Sequence, residues 1–104
     1  MSDHKLMFNS LPWSETAPGS REKAFVTAGK RVRLLELTSE FKEADWCTRP
    51  HFGYVMNGVL EMAFEKKKVV IGVAEGLAIP GGDAFRHKAR AVTASVQLFL
   101  VEDA

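Results

Sequence analysis

A chain of 104 residues with a formal net charge of +1 is long enough for one modest core and too short for two. That near-neutral balance excludes a large electrostatic footprint for nucleic acid or an anionic membrane surface, and no apolar run reaches the length of a spanning helix. The single cysteine excludes an internal disulfide and fits a reducing compartment. The N-terminus also lacks the apolar core and small-residue cleavage site of a secretory leader, so the expected compartment is the cytoplasm.

Residues 1–22 read as an N-terminal arm and residues 23–104 as a β-domain. In the arm, Lys5 to Phe8 is predicted to form a short edge strand. Asn9-Ser10, Pro12 and Pro18-Gly19-Ser20 break the pattern, and Trp13 is expected to pack onto the body because a large aromatic is worth burying. Lys23 to Ala28 and Lys30 to Leu37, joined at Gly29, are β-branched, aromatic or aliphatic and carry no helical stripe. Thr38 to Ala44 is polar, a turn or a single helical turn.

Phe52 to Asn57 and Val59 to Glu65 flank Asn57-Gly58, a strong hairpin signal because both residues tolerate the positive φ of a type I′ turn. Lys66-Lys67-Lys68 reads as a solvated turn. Val69 to Val73 and Leu77 to Ile79 read as short buried strands, with a turn at Pro80-Gly81-Gly82-Asp83. From Phe85 to Ala91 the chain alternates. Arg86, Lys88 and Arg90 share the wet face, so Phe85, His87, Ala89 and Ala91 point inward. In the last strand, Ser95 to Glu102, Val96, Leu98 and Leu100 share one face and Phe99 and Val101 the other. An end strand that is apolar on both faces is expected to be covered twice, by the core and by a second subunit, which predicts a homodimer through the terminal strands. About nine short strands with Gly/Pro turns and no convincing helix make the fold class all-β, a sandwich or barrel.

Asp45, Cys47 and His51 are spaced by two and four, so in an extended chain they share a face, although Pro50 interrupts the extension between Cys47 and His51. With the inward His87, four metal-ligand types can converge. Thiolate, imidazole and carboxylate suit a divalent transition metal such as Zn, Fe, Ni, Cu or Mn, with zinc favoured by the thiolate. The competing reading is ordinary: a lone inward histidine is usually a hydrogen-bonded core residue, and a lone cysteine a small buried hydrophobe.

Gly53-Tyr54-Val55-Met56-Asn57-Gly58-Val59-Leu60-Glu61, then Leu77-Ala78-Ile79-Pro80-Gly81-Gly82 and His87, resemble the small cupins over roughly residues 30–102. The resemblance implies a jelly-roll β-barrel with a metal bound inside it by two histidines and a glutamate, and a further histidine. Placing Gly58 on the closing glycine of the family's first motif puts His51 at the glutamate position, Cys47 at the second histidine and Asp45 at the first. None of the usual ligands is present there, yet each replacement is itself a ligand type. In the second motif Pro80 and Gly82 match, while Phe85 occupies the histidine position and His87 lies two residues later on the same face. Either His87 takes over as ligand, or Phe85 fills the site and His87 is a buried histidine.

Three functions follow as expectations. In the first, a metal held by Cys47, His51 and His87, with Asp45 as fourth ligand or outer partner, serves a small, anionic organic molecule anchored by Arg49 and acted on in the barrel. In the second, the barrel is metal-free and non-catalytic, a small-molecule binding or sensing module whose pocket is lined by Phe85, Val55 and Met62. In the third, Cys47 is a reactive thiol activated by His51 or His87.

Overall fold

The computed structural model of the chain describes residues 4–104. Nine strands follow in order: β1 Ser14–Ala17, β2 Ser20–Thr27, β3 Lys30–Thr38, β4 His51–Asn57, β5 Leu60–Phe64, β6 Lys68–Ile71, β7 Gly76–Ile79, β8 His87–Ala91 and β9 Ser95–Asp103. Two 3₁₀ turns, Phe8–Ser10 and Asp83–Phe85, are the only helical elements among the described residues. No helix among those residues is long and apolar enough to cross a membrane. A six-stranded sheet, ordered β1-β2-β3-β9-β4-β7, faces a three-stranded sheet, β6-β5-β8, and every pairing is antiparallel. This is an all-β, jelly-roll arrangement.

The two longest ladders frame the barrel. β2 and β3 pair from Ser20↔Leu37 to Thr27↔Lys30. The intervening Ala28 and Gly29 have φ of 50° and 75°, the two positive values a type I′ hairpin needs. β3 pairs with β9 from Lys30↔Asp103 to Thr38↔Ser95. Along β9, period two sends Val96, Leu98 and Leu100 inward, where they join Leu37, Val55, Leu60, Met62, Ile71, Leu77, Ile79 and Ala91 in one buried core.

Four sequence expectations change. Lys5 to Phe8 is not a strand; Lys5–Met7 has no regular structure and Phe8 opens a 3₁₀ turn, while the arm's strand is β1, further along. Asn57-Gly58 does not close a hairpin. β4 lies in the large sheet between β9 and β7, and β5 lies in the small sheet between β6 and β8. Gly58 has φ 80° but Asn57 has no positive φ, so the pair instead carries the chain across from one sheet to the other. Crossing lets Val55 and Leu60, both fully buried, meet in the same core. The crossover is tied down by Val59 N–H donating to Thr93 Oγ1 at 3.0 Å and Val92 N–H donating to the Val59 carbonyl at 2.9 Å.

The expected buried strand at Val69 to Val73 is an edge strand, β6, in which Ile71 is buried while Val69 and Val70 are exposed. An edge strand of a three-stranded sheet has only one covered side. The double cover expected over β9 is supplied in part by the chain itself. Phe8 of the arm packs edge-on against Phe25 and Phe99, with ring centroids 5.1 and 6.3 Å apart, and Lys23 Nζ donates to the Phe8 carbonyl at 3.3 Å. Trp13 packs under Arg21 and Lys23, 4.3 and 5.0 Å from its ring centroid.

Candidate metal centre

Cys47 lies between β3 and β4 in an isolated antiparallel bridge with His87, the first residue of β8. Each backbone N–H donates to the other's carbonyl, at 2.9 and 3.0 Å. Directly opposed residues project to the same side of a ladder, so the bridge places the thiol beside the imidazole. His51 opens β4 and brings its Nε2 to 3.7 Å from Cys47 Sγ. The His51 and His87 rings meet edge to face at 5.0 Å. One ligand atom from each of Cys47, His51 and His87 lies within 4.8 Å of the others.

Acceptor-only partners set both tautomers. His51 Nδ1 is 2.9 Å from a Glu102 carboxylate oxygen, and His87 Nδ1 is 2.9 Å from the Phe85 carbonyl. A carboxylate and a carbonyl can only accept, so each Nδ1 carries a proton, and in the neutral ring each Nε2 is the acceptor. His87 is 1 % exposed and its Nε2 has no hydrogen-bond partner. A buried acceptor without a partner is costly. A ligand at that nitrogen would remove the cost.

Behind His51 runs a ladder of charge on the inward face of the large sheet. Glu102 accepts two hydrogen bonds from Arg33, at 3.0 and 2.9 Å; Arg33 reaches Glu22 at 3.1 Å, and Glu22 also pairs with Arg31. Burial alone would raise the Glu102 carboxyl, but the hydrogen bonds from His51 and Arg33 and the Arg33 charge outweigh it and hold the group at about 2. Glu102 is therefore an acceptor throughout the neutral range. Glu102, Arg33 and Glu22 went unnoticed in the sequence. The signal was there: the alternation Val96, Leu98, Leu100 reaches Glu102 two residues on, and Leu37, Leu35 leads to Arg33 in the same way.

Of the other predicted site residues, Arg49 and Met62 border the cavity beside Cys47 and His51, and Asp45, Val55 and Phe85 lie elsewhere. Asp45 is exposed and outside the cluster, because a bend at Ala44-Asp45 ends the extended chain on which same-face placement depended. Val55 is sealed in the core, fully buried. Phe85 is not an inward strand residue. It ends the 3₁₀ turn after Gly82, is 45 % exposed, and leaves His87 to begin the strand. Met62 is buried at the wall between two cavities. Arg49 borders the smaller cavity beside Cys47 and His51. Arg21, Arg31, Arg33, Arg86 and Arg90 each hold a carboxylate. Among the described residues Arg49 alone of the arginines has no such partner and no side-chain hydrogen bond.

That smaller cavity, about 240 Å³, runs into the barrel past Arg33, Leu35, Met62 and Leu98. A larger one of about 720 Å³ opens on the far side of Met62 and touches none of Cys47, His51 or His87. Size and chemistry thus point to different cavities: Cys47 and His51 of the ligand-type cluster line the smaller one, while His87 lines neither.

The residues fit a metal. One thiol and two Nε2 lone pairs form a three-ligand set that leaves positions for other groups, and each histidine is oriented through its other nitrogen, as metal-bound histidines usually are. Cys47, His51 and His87 would hold the ion.

No family model matches the sequence, and no curated protein matches it significantly. Solved structures do match. KdgF from Halomonas sp. superposes with a TM-score of 0.75 at 19% identity, over 94% of this chain and 93% of that one. A cupin-2 domain containing protein from Shewanella frigidimarina NCIMB 400 gives 0.70 at 22%, over 95% and 94%. FeII HppE gives 0.73 at 12%, over 96% of this chain and 60% of that one. With the two-sheet topology described above, these matches show that this chain has the fold of a small cupin.

Proposed function

We propose that this chain is a metal-binding cupin in which Cys47, His51 and His87 hold a divalent transition metal and Arg49 receives a small anionic organic molecule beside it. The observation that carries the reading is the buried, unpartnered Nε2 of His87 within reach of the Cys47 thiol and His51 Nε2. The shared fold with FeII HppE supports it.

A metal held by Cys47, His51 and His87 would act as a Lewis acid toward an oxygen of the bound molecule. The chain's own residues do the rest. Glu102, clamped by Arg33, holds the His51 Nδ1 proton and keeps Nε2 turned toward Cys47. Arg49 offers a planar fork suited to a carboxylate. The apolar wall of Leu35, Met62 and Leu98 limits water around the site.

Elemental analysis of untagged protein tests the reading, with wild type beside Cys47→Ser, His51→Ala and His87→Ala. Near-stoichiometric transition metal in the wild type, reduced in all three variants, is the expected result. A folded wild type that stays metal-free after exposure to zinc, iron, nickel, copper and manganese would overturn it. The metal-free binding module would then be the better reading; the absence of Asp45 from the cluster already favours it.

A further inference from the structure

The larger cavity lies at the seam of the barrel. β6 ends the small sheet and β7 ends the large one, so each is paired on one side only and the two free edges flank an opening between the sheets. Its floor is apolar: Met62, Phe64, Ile71, Leu77 and Ile79, with Phe85 at the mouth. The register Phe64↔His87 brings the β5–β6 turn beside the 3₁₀ turn that carries Phe85. Lys66 and Lys67 of the former line the same mouth.

The charges at this mouth are unequal. Glu65, the only carboxylate among the residues lining the cavity, is engaged by Arg86 at 2.6 Å, and Asp83 of the 3₁₀ turn is not among those lining residues. Lys66 and Lys67 form no ion pair or side-chain hydrogen bond among the described residues; Lys67 Nζ hangs 5.9 Å from the Phe64 ring. An apolar trough of about 720 Å³ with uncompensated cations at its lip matches one kind of molecule. Its volume falls within the range of about 300–1,000 Å³ typical of small-molecule sites.

We propose that the β6–β7 seam binds a free amphipathic acid, its hydrocarbon or aromatic tail against Met62, Phe64, Ile71 and Phe85 and its carboxylate between Lys66 and Lys67. This site is distinct from the metal centre and does not depend on a metal. Phe64 separates the two, with its ring 6.0 Å from that of His87. A tail seated on Phe64 would therefore press on the wall of the metal centre without touching its ligands.

Sodium octanoate, below its micellar concentration, is a suitable probe, with 1-octanol as the uncharged control. Calorimetry measures affinity, and amide ¹H–¹⁵N spectra locate the site. Saturable one-to-one binding of octanoate is expected, with shifts concentrated in residues 62–85 and octanol weaker by about tenfold, the worth of a charge-assisted contact. Lys66→Glu with Lys67→Glu, a change confined to an exposed turn, should weaken octanoate by at least that factor and leave octanol unchanged. Val69→Asp, on the exposed edge of the cavity wall, should weaken both. Cys47→Ala should bind octanoate as the wild type does, so failure of the metal reading would leave this result intact. Absence of saturable binding would overturn the proposal. So would equal affinity for octanoate and octanol, indifference to the lysine changes, or shifts centred on Arg49 and His51.

Discussion

Glu102 illustrates how one side chain can govern a site it does not enter. Its carboxylate sits between Arg33 and His51, and because it only accepts, it dictates which His51 nitrogen faces the thiol. Glu102→Gln keeps the shape but offers an amide that can turn its NH₂ toward His51 and reverse the tautomer. Zinc affinity measured by competition with a chromophoric chelator is expected to fall by about 10–100-fold in this variant, with the fold intact by circular dichroism. Unchanged affinity would show that the ladder serves stability alone. Glu36 makes a different contribution on the outer face of the same sheet. The hydrogen bond from Gln97 lowers its pKa most, burial opposes this, and Arg21 lowers it further. A carboxylate with a depressed folded pKa stabilises the fold above its ordinary value of 4.5, and that contribution is lost as pH falls below it. Glu36→Gln should therefore unfold more easily at neutral pH and show a flatter loss of stability as pH falls below 4.5 in urea titrations.

At the scale of elements, two connections decide the architecture. The β2–β3 hairpin uses Ala28 at φ 50°, a conformation that L residues other than Asn and Asp adopt at a cost. Ala28→Asn restores the preferred Asn-Gly pair and should raise stability by about 0.5–2 kcal/mol in thermal or chemical unfolding. β4 shows the opposite constraint. A Cβ at Gly53 would lie 1.8 Å from the Phe99 carbonyl oxygen of the adjacent β9, so the two strands approach as closely as they do only because no side chain intervenes. Gly53→Ala must displace backbone and is expected to cost about 1–3 kcal/mol. His51 lies in the same strand, so the variant should also weaken metal retention.

Across the whole molecule, the outer surface of the large sheet is only partly covered. Phe8 shields Phe25 and Phe99, while Phe52, Tyr54 and Met56 of β4 and Val101 of β9 remain exposed. A stripe of large apolar residues on one sheet face is the kind of surface that a second copy covers, and we propose it as the face through which a homodimer would form. Sedimentation velocity is expected to give a dimer for the wild type and a monomer for Tyr54→Glu combined with Val101→Glu. A monomeric wild type at micromolar concentration would remove this reading.

Local pattern carried much of this protein. Strand period two, Gly/Pro punctuation and the absence of any helical stripe were enough for an all-β barrel and for the course of the strands from β2 onward, because those signals depend only on neighbours along the chain. The inward placement of His87 and the nearness of Cys47 to His51 were legible for the same reason. What the tertiary structure decided were the relations between distant segments. Asn57-Gly58 has the composition of a hairpin turn, yet the need to bury both Val55 and Leu60 sends the chain across to the other sheet. A bend removes Asp45 from its expected neighbours, and a 3₁₀ turn shifts Phe85 from the barrel interior to the seam. Glu102 meets His51 at 51 residues' separation, through the pairing of β9 with both β3 and β4. Such contacts arise when sheets close on one another to bury apolar faces, and no local rule along the chain encodes which strands become neighbours.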